Sequence, residues 1–299
     1  MKNFFPSIIP ALIFFSFSAF SQTVTLEISG GYSVPLARSY EAIERYGSQD
    51  SIFPFYYTTE VKLKPRSFGQ GGCIGLNFNW FSKKNIGLGI KVNTLFGTSF
   101  KHASMVYTTT YTYNEFYDYT SKSFSFQFIP HLSFRHDFKV VSPMLEAGLI
   151  LGITQLKHRS IITANYNSQT IETNVREGGG AMIGFYSSLG LLFNVSRIVK
   201  INVALNCMAA SYSPSKWKRT SFTVDGTDRL AALSRSQREG QYVTELVLTA
   251  PQNPSEPSFD LKYAVTMSNI GFTAGICFQF GKGNAKKLSK KVPQENPQF

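Results

Sequence analysis

Eight stretches of this chain alternate apolar and polar residues, and short and long connections join them in strict turn. Period two places successive side chains on opposite faces of a strand. The short-turn, long-connection rhythm is that of an up-and-down barrel crossing a membrane. The expected fold is all-β: an eight-stranded antiparallel up-and-down transmembrane β-barrel with long extracellular loops.

The expected strands are Thr23–Val34, Phe68–Phe81, Ile86–Phe100, Lys122–Phe138, Met144–Lys157, Gly178–Val195, Ile198–Tyr212 and Phe259–Phe280. Tight turns fall at Ser82–Asn85, Lys139–Pro143 and Ser196–Arg197. Long connections cover Pro35–Ser67, Lys101–Ser121, His158–Glu177 and Ser213–Ser258. Lys101–Ser121 and His158–Glu177 have strand composition, so their flanking strands are expected to continue outward as hairpins, the second turning near Asn165–Ser168. Pro130 cannot donate to a ladder and predicts a bulge.

Which face looks inward follows from volume. One face carries Phe, Leu and Ile; the other carries Gly, Ser, Asn, Gln and a few charges. Eight strands enclose a lumen only wide enough for side chains. Rows of Phe and Leu would overfill it, so the apolar face looks out to lipid. Trp80, Phe134, Phe193 and Phe280 at the short-turn ends, and Phe100, Phe124 and Tyr212 at the long-loop ends, are expected to form two aromatic girdles.

The ends of the chain read differently. Met1–Ser21 has the charge, apolar run and small-residue close of a cleaved secretory leader. The barrel is expected over 22–281. Residues 282–299 form a basic tail with Lys282, Lys286, Lys287, Lys290 and Lys291 and no period, expected to be disordered. For an exported protein the expected partners of such charge are outer-membrane lipid and lipopolysaccharide, or a cell-surface or envelope protein, and not nucleic acid; a merely solvated tail suits the same charge. Cys73, Cys207 and Cys277 suggest small packing residues rather than a disulfide framework.

Candidate sites are few. Glu27, Lys91, Arg135, Glu146 and Lys200 are the inward charges, and counting from the strand ends places all five in one layer in the periplasmic half of the lumen. Buried charges must pair, so they read as an ion-pair network plugging the barrel, or more sharply as a gate or a narrow selective conduit. Tyr107, Tyr111, Tyr113, Phe116, Tyr117 and Tyr119 make a candidate binding loop. The same ring set also suits a girdle continued into the lipid headgroups. Lys216, Lys218, Arg219, Arg229, Arg235 and Arg238 suit anionic lipid phosphates or an acidic glycan, and equally a solvated loop. His102 and His158 fall at the outer rim, with Ser104 and Asp118 near the first in sequence. A hydrolase or acyltransferase would place its base there, yet a triad needs convergence in space. No Gly-rich phosphate loop, metal-spaced Cys/His set or nucleotide motif is present, so no cofactor is expected.

A leader ending in Ser-Gln, glycine-studded amphipathic strands and the final run Gly275-Ile276-Cys277-Phe278-Gln279-Phe280-Gly281-Lys282 resemble the porin-like outer-membrane β-barrel family common in Bacteroidota. The resemblance implies fold and location and spans adhesins, passive channels, secretion accessories and a few enzymes. The expected role is a non-enzymatic outer-membrane barrel with a polar, plugged lumen, acting in surface binding or as a structural envelope component. A small passive pore is the alternative.

Overall fold

A computed structural model of the chain describes residues 23–36, 38–47, 56–65, 67–82, 85–108, 113–164, 168–245 and 253–281. The expected leader and the lysine-rich tail lie outside the described residues. The strands are β1 (Thr23–Pro35), β2 (Arg38–Gly47), β3 (Tyr56–Pro65), β4 (Gly71–Phe81), β5 (Ile86–Gly97) and β6 (Phe100–Thr108). Then come β7 (Tyr113–Arg135), β8 (Val141–Ala164), β9 (Gln169–Gly178), β10 (Ala181–Asn194), β11 (Val199–Tyr212) and β12 (Lys216–Val224). The last are β13 (Thr227–Asp228), β14 (Glu239–Val243), β15 (Ser258–Leu261), β16 (Val265–Thr266) and β17 (Asn269–Gly281).

Eight of these close a ring in the order β1, β4, β5, β7, β8, β10, β11, β17 and back to β1, every pair antiparallel. The alternation in β10 decides which face is which. Met182, Gly184, Tyr186 and Ser188 are buried, while Ile183 and Phe185 are 63% and 70% exposed. The same holds around the wall, where Ile28, Leu76, Ile90, Phe128, Leu149, Leu205 and Phe272 all stand exposed. A continuous apolar band of this kind belongs against lipid, not water. Closure pairs every wall strand on both sides, which hydrocarbon requires of a spanning sheet.

The wall continues beyond the membrane on one side. β7 and β8 run 23 and 24 residues, about twice what a tilted spanning strand needs. β6 folds back on β7, and β9 on β8, as the strand composition of those connections predicts. β12 extends the sheet from β9, β14 adds to β12, and β15 joins β14 in parallel.

Several sequence expectations give way here. The first long connection is not loop throughout, since β2 and β3 pair along their length from Arg38↔Pro65 to Gly47↔Tyr56. The last is also built. β12 and β13 meet at Asp225 and Gly226, whose φ values of 49° and 76° are those a tight hairpin demands. The expected single strand Phe259–Phe280 is three pieces, because β15 leaves the barrel for β14 and β16 caps the end of β11. Pro130 makes no bulge. It sits on the outward face, and the register from Phe128↔Leu151 to His131↔Gly148 runs through unshifted. The ladder to β8 drops the pairs at Ile129 and Pro130 and resumes in the same register, so the proline removes ladder hydrogen bonds without inserting a residue. Tyr212 is not in a girdle: it is fully buried, on the inward parity it shares with Lys200. Phe124 is outward and packs edge-on against Phe96 with ring centroids 5.6 Å apart.

Candidate functional site

The five inward charges are all buried, but they occupy two tiers rather than one layer. Arg135 ends β7 and Lys200 is second in β11, at the short-turn rim. Glu27, Lys91 and Glu146 lie several residues deeper along their strands.

The deeper tier is organised by Tyr186, whose hydroxyl stands 2.8 Å from Lys91 Nζ, 3.2 Å from Glu146 Oε2 and 2.8 Å from Asn206 Oδ1. The lysine donates to the phenol oxygen, and the single phenolic proton goes to the carboxylate or the amide. The Lys91 ammonium also lies 5.0 Å from the Tyr186 ring centroid. Glu146 Oε1 accepts from Asn77 Nδ2 at 2.8 Å and Asn79 Nδ2 at 3.4 Å, with His131 Nε2 at 3.5 Å. His131 Nε2 lies 2.8 Å from Asn79 Oδ1, which also accepts from Ser133. Glu27 Oε1 accepts from Asn202 Nδ2 at 2.8 Å. Gly89 makes room for this tier: a Cβ there would fall 2.2 Å from both Asn79 Oδ1 and His131 Nε2.

The rim tier pairs with a residue that strand counting overlooked. Arg135 Nε lies 2.9 Å from Asp137 Oδ1, and Lys200 Nζ is 4.0 Å from the same oxygen. Arg135 stacks over the Phe81 ring at 4.3 Å. Asp137 follows β7 in the turn, where alternation no longer says which way a side chain points.

The lumen is not purely polar either. Phe81, Met144, Leu192 and Cys277 form an apolar cluster on the rim side. Leu95, Ile129, Ile150, Leu156, Met182 and Met267 belong to a larger one toward the long connections. Methionine is unbranched and fits such irregular gaps. The cysteines are all free. Tyr186, His131 and the asparagines were legible only as inward parity, and nothing in their spacing shows that they converge.

Outside the barrel the Tyr-rich hairpin is only partly visible. Tyr107 lies in β6 and Tyr113, Phe116 and Tyr117 lie in β7, with Tyr107 paired to Asn114. Tyr111 and the side chains of those four lie outside the described residues. Tyr119 is exposed. Asp118 pairs with Lys101 at 3.5 Å. His102 opposes Tyr119 in the ladder, and His136 lies past the end of β7, its ring 4.6 Å from Phe138. His158 has more around it. Its Nδ1 is 2.9 Å from Ser121 Oγ, and its Nε2 is 3.7 Å from Glu177 Oε2. Glu177 Oε1 accepts from the Tyr242 hydroxyl at 2.9 Å, and Oε2 accepts from Tyr263. Burial alone would raise the Glu177 carboxyl, but the His158 ring and the two phenols hold it below its usual value. Burial and that carboxylate push both tyrosines up. Of the basic loop residues, Lys218 and Arg235 pair with Glu239 at 3.3 and 3.6 Å. Arg219 stacks over Phe222 at 5.3 Å.

No family model matches this chain, and no curated protein sequence matches it. Among solved structures it is similar to the ΔS2S3 mutant of the TodX monoaromatic hydrocarbon channel, at 7% identity over 90% of this chain and 92% of that one, with a TM-score of 0.22. The ΔS2 mutant of the same channel aligns at 6% identity over 89% and 92%, with a TM-score of 0.20. Likeness at that level carries no argument, and the barrel stands on its own strand pairings.

Proposed function

We propose that this chain is a plugged outer-membrane barrel, a structural or recognition component of the envelope that meets its partners through the built face above the membrane. The observation that carries the reading is the closed polar tier around Tyr186. Lys91, Glu146, Asn206, Asn77 and His131 come from five different wall strands and meet inside a ring only eight strands round. With apolar clusters on both sides of it, an ion crossing the lumen would have to break buried hydrogen bonds worth about 1 to 3 kcal/mol each. Ladder pairings join β6 to β7, β9 to β8, β12 to β9 and β14 to β12 and β15, and a surface built on paired strands is preorganised for recognition.

Planar-bilayer recording tests the plug: the reconstituted chain should show no steady conductance. A stable open channel in 1 M salt would move the assignment to a small passive pore. Ser121, His158 and Glu177 align at the rim, which gives the hydrolase reading one observation. However, both oxygens of Glu177 are occupied by tyrosine, and Ser121 meets Nδ1 while buried. We assign the line to holding the last long connection on the barrel. Loss of a lipid- or peptide-hydrolysing activity in Ser121→Ala would reverse that assignment.

A further inference from the structure

Just beyond the apolar band, four adjacent strands place a cation at the same register. Lys122 on β7 opposes Lys157 on β8, Lys157 opposes Arg176 on β9, and Arg176 opposes Lys218 on β12. All four share the outward parity. Lys122 alternates with buried Ser121 and Ser123, Lys157 with buried Leu156, and Arg176 with buried Glu177. The next step toward the membrane is Phe124↔Gln155, and Phe126↔Ile153 follows. The row therefore crowns the lipid-facing wall across three strand spacings, roughly 14 Å.

Like charges directly opposite in a sheet repel, and the chain supplies little to offset this. Lys218 has Glu239 at 3.3 Å. Among the described residues no carboxylate pairs with Lys122, Lys157 or Arg176. Arg159, one ladder step higher, is held by Glu172 at 2.8 Å. Lys122, Lys157, Arg159 and Arg176 line one cavity of about 390 Å³, with Thr120 and Thr220 among its other walls and no acidic residue. Ammonium and guanidinium groups with nearby hydroxyls are the donors that hold a phosphate monoester.

We infer that this row is a binding site for the phosphorylated headgroup of an outer-leaflet lipid, which enters sideways from the bilayer. The inference rests on the membrane-barrel reading for its geometry and on nothing proposed about the lumen or the loops. Position selects lipid over a soluble anion: the side chains project from the outer wall, next to the ring of Phe124, where acyl chains lie below and headgroups beside them.

The test uses the detergent-solubilised full chain, native mass spectrometry and two probes, diphosphorylated and dephosphorylated lipid A. The wild type should retain the phosphorylated probe and discriminate against the other. Replacing Lys122, Lys157 and Arg176 together by glutamine should weaken retention about a hundredfold, equivalent to about 3 kcal/mol at 1.4 kcal/mol per tenfold. Lys262→Gln, an exposed site off this row, should change nothing. Equal retention of the two probes overturns the inference, as does an unchanged triple variant. Competition by inorganic phosphate at the affinity of the lipid would also overturn it, by showing a free-anion site. A heat-modifiable gel band and β-type circular dichroism of the triple variant check the barrel separately, so failure of the fold and failure of the lipid site are distinguishable.

Discussion

Replacing Lys91 by methionine keeps length and flexibility while removing a cation from the middle of the lumen. The Lys91 ammonium is buried and donates to Tyr186, which sits between it and Glu146. Breaking a buried charge pair by removing one partner costs about 3 to 5 kcal/mol. Here the low end applies. Glu146 keeps Asn77, Asn79 and the His131 ring, so its charge stays surrounded by donors. Glu27 keeps Asn202. We expect a loss of about 3 kcal/mol. With an m-value of about 3 kcal/mol/M in urea, the unfolding midpoint in micelles should drop by about 1 M at constant m. Pairing the change with Glu146→Gln should recover part of that loss, because the double variant no longer strands a buried carboxylate, and the two single effects should fail to add by at least about 1 kcal/mol. Strict additivity, or a midpoint shift below about 0.3 M, would refute the argument that charge pairing organises this tier.

Gly89→Ala would drive a Cβ to 2.2 Å from Asn79 Oδ1 and His131 Nε2 and should cost about 1 to 3 kcal/mol. Gly72→Ala, whose Cβ would meet nothing nearer than 4.0 Å, should be close to neutral, and the gel-shift temperature of the two variants compares them directly. Tyr242→Phe with Tyr263→Phe should release the last long connection from Glu177, read as faster hydrogen exchange in β14 and β15 while the barrel strands stay protected. The same contact should depend on pH. Because the Glu177 carboxyl is held below its usual value, its contribution is complete above the ordinary carboxylate range, about 4.3, and is lost as pH falls through the lowered value. Protection of β14 relative to β10 should accordingly be flat from pH 7 to 5 and collapse below about 4. Deleting Thr110–Asp118 should leave the barrel folded and reduce adhesion of whole cells to a surface partner. Undiminished adhesion would take recognition away from the Tyr-rich hairpin.

Parity along each strand was legible without coordinates because it is local. Alternation alone shows that Glu27, Lys91, Glu146 and Lys200 face in and that Ile28, Leu88 and Phe134 face out, and the tight turns limited which strands could be neighbours. Even the β12–β13 hairpin carries its signal in Asp225-Gly226, although the basic, polar stretch around it does not alternate cleanly between lipid and lumen. Side-chain partners are a different matter. Whether Lys91 meets Glu146 depends on the stagger of nonadjacent strands around the closed ring, which no single strand encodes. That stagger is why the five charges split into two tiers and why Tyr186, ordinary in its own strand, stands at the centre of one of them. Ladder register between adjacent strands likewise brings Lys122, Lys157, Arg176 and Lys218 from four separate segments into one row. Periodicity decides the face of a side chain, and only the closed sheet decides what that face meets.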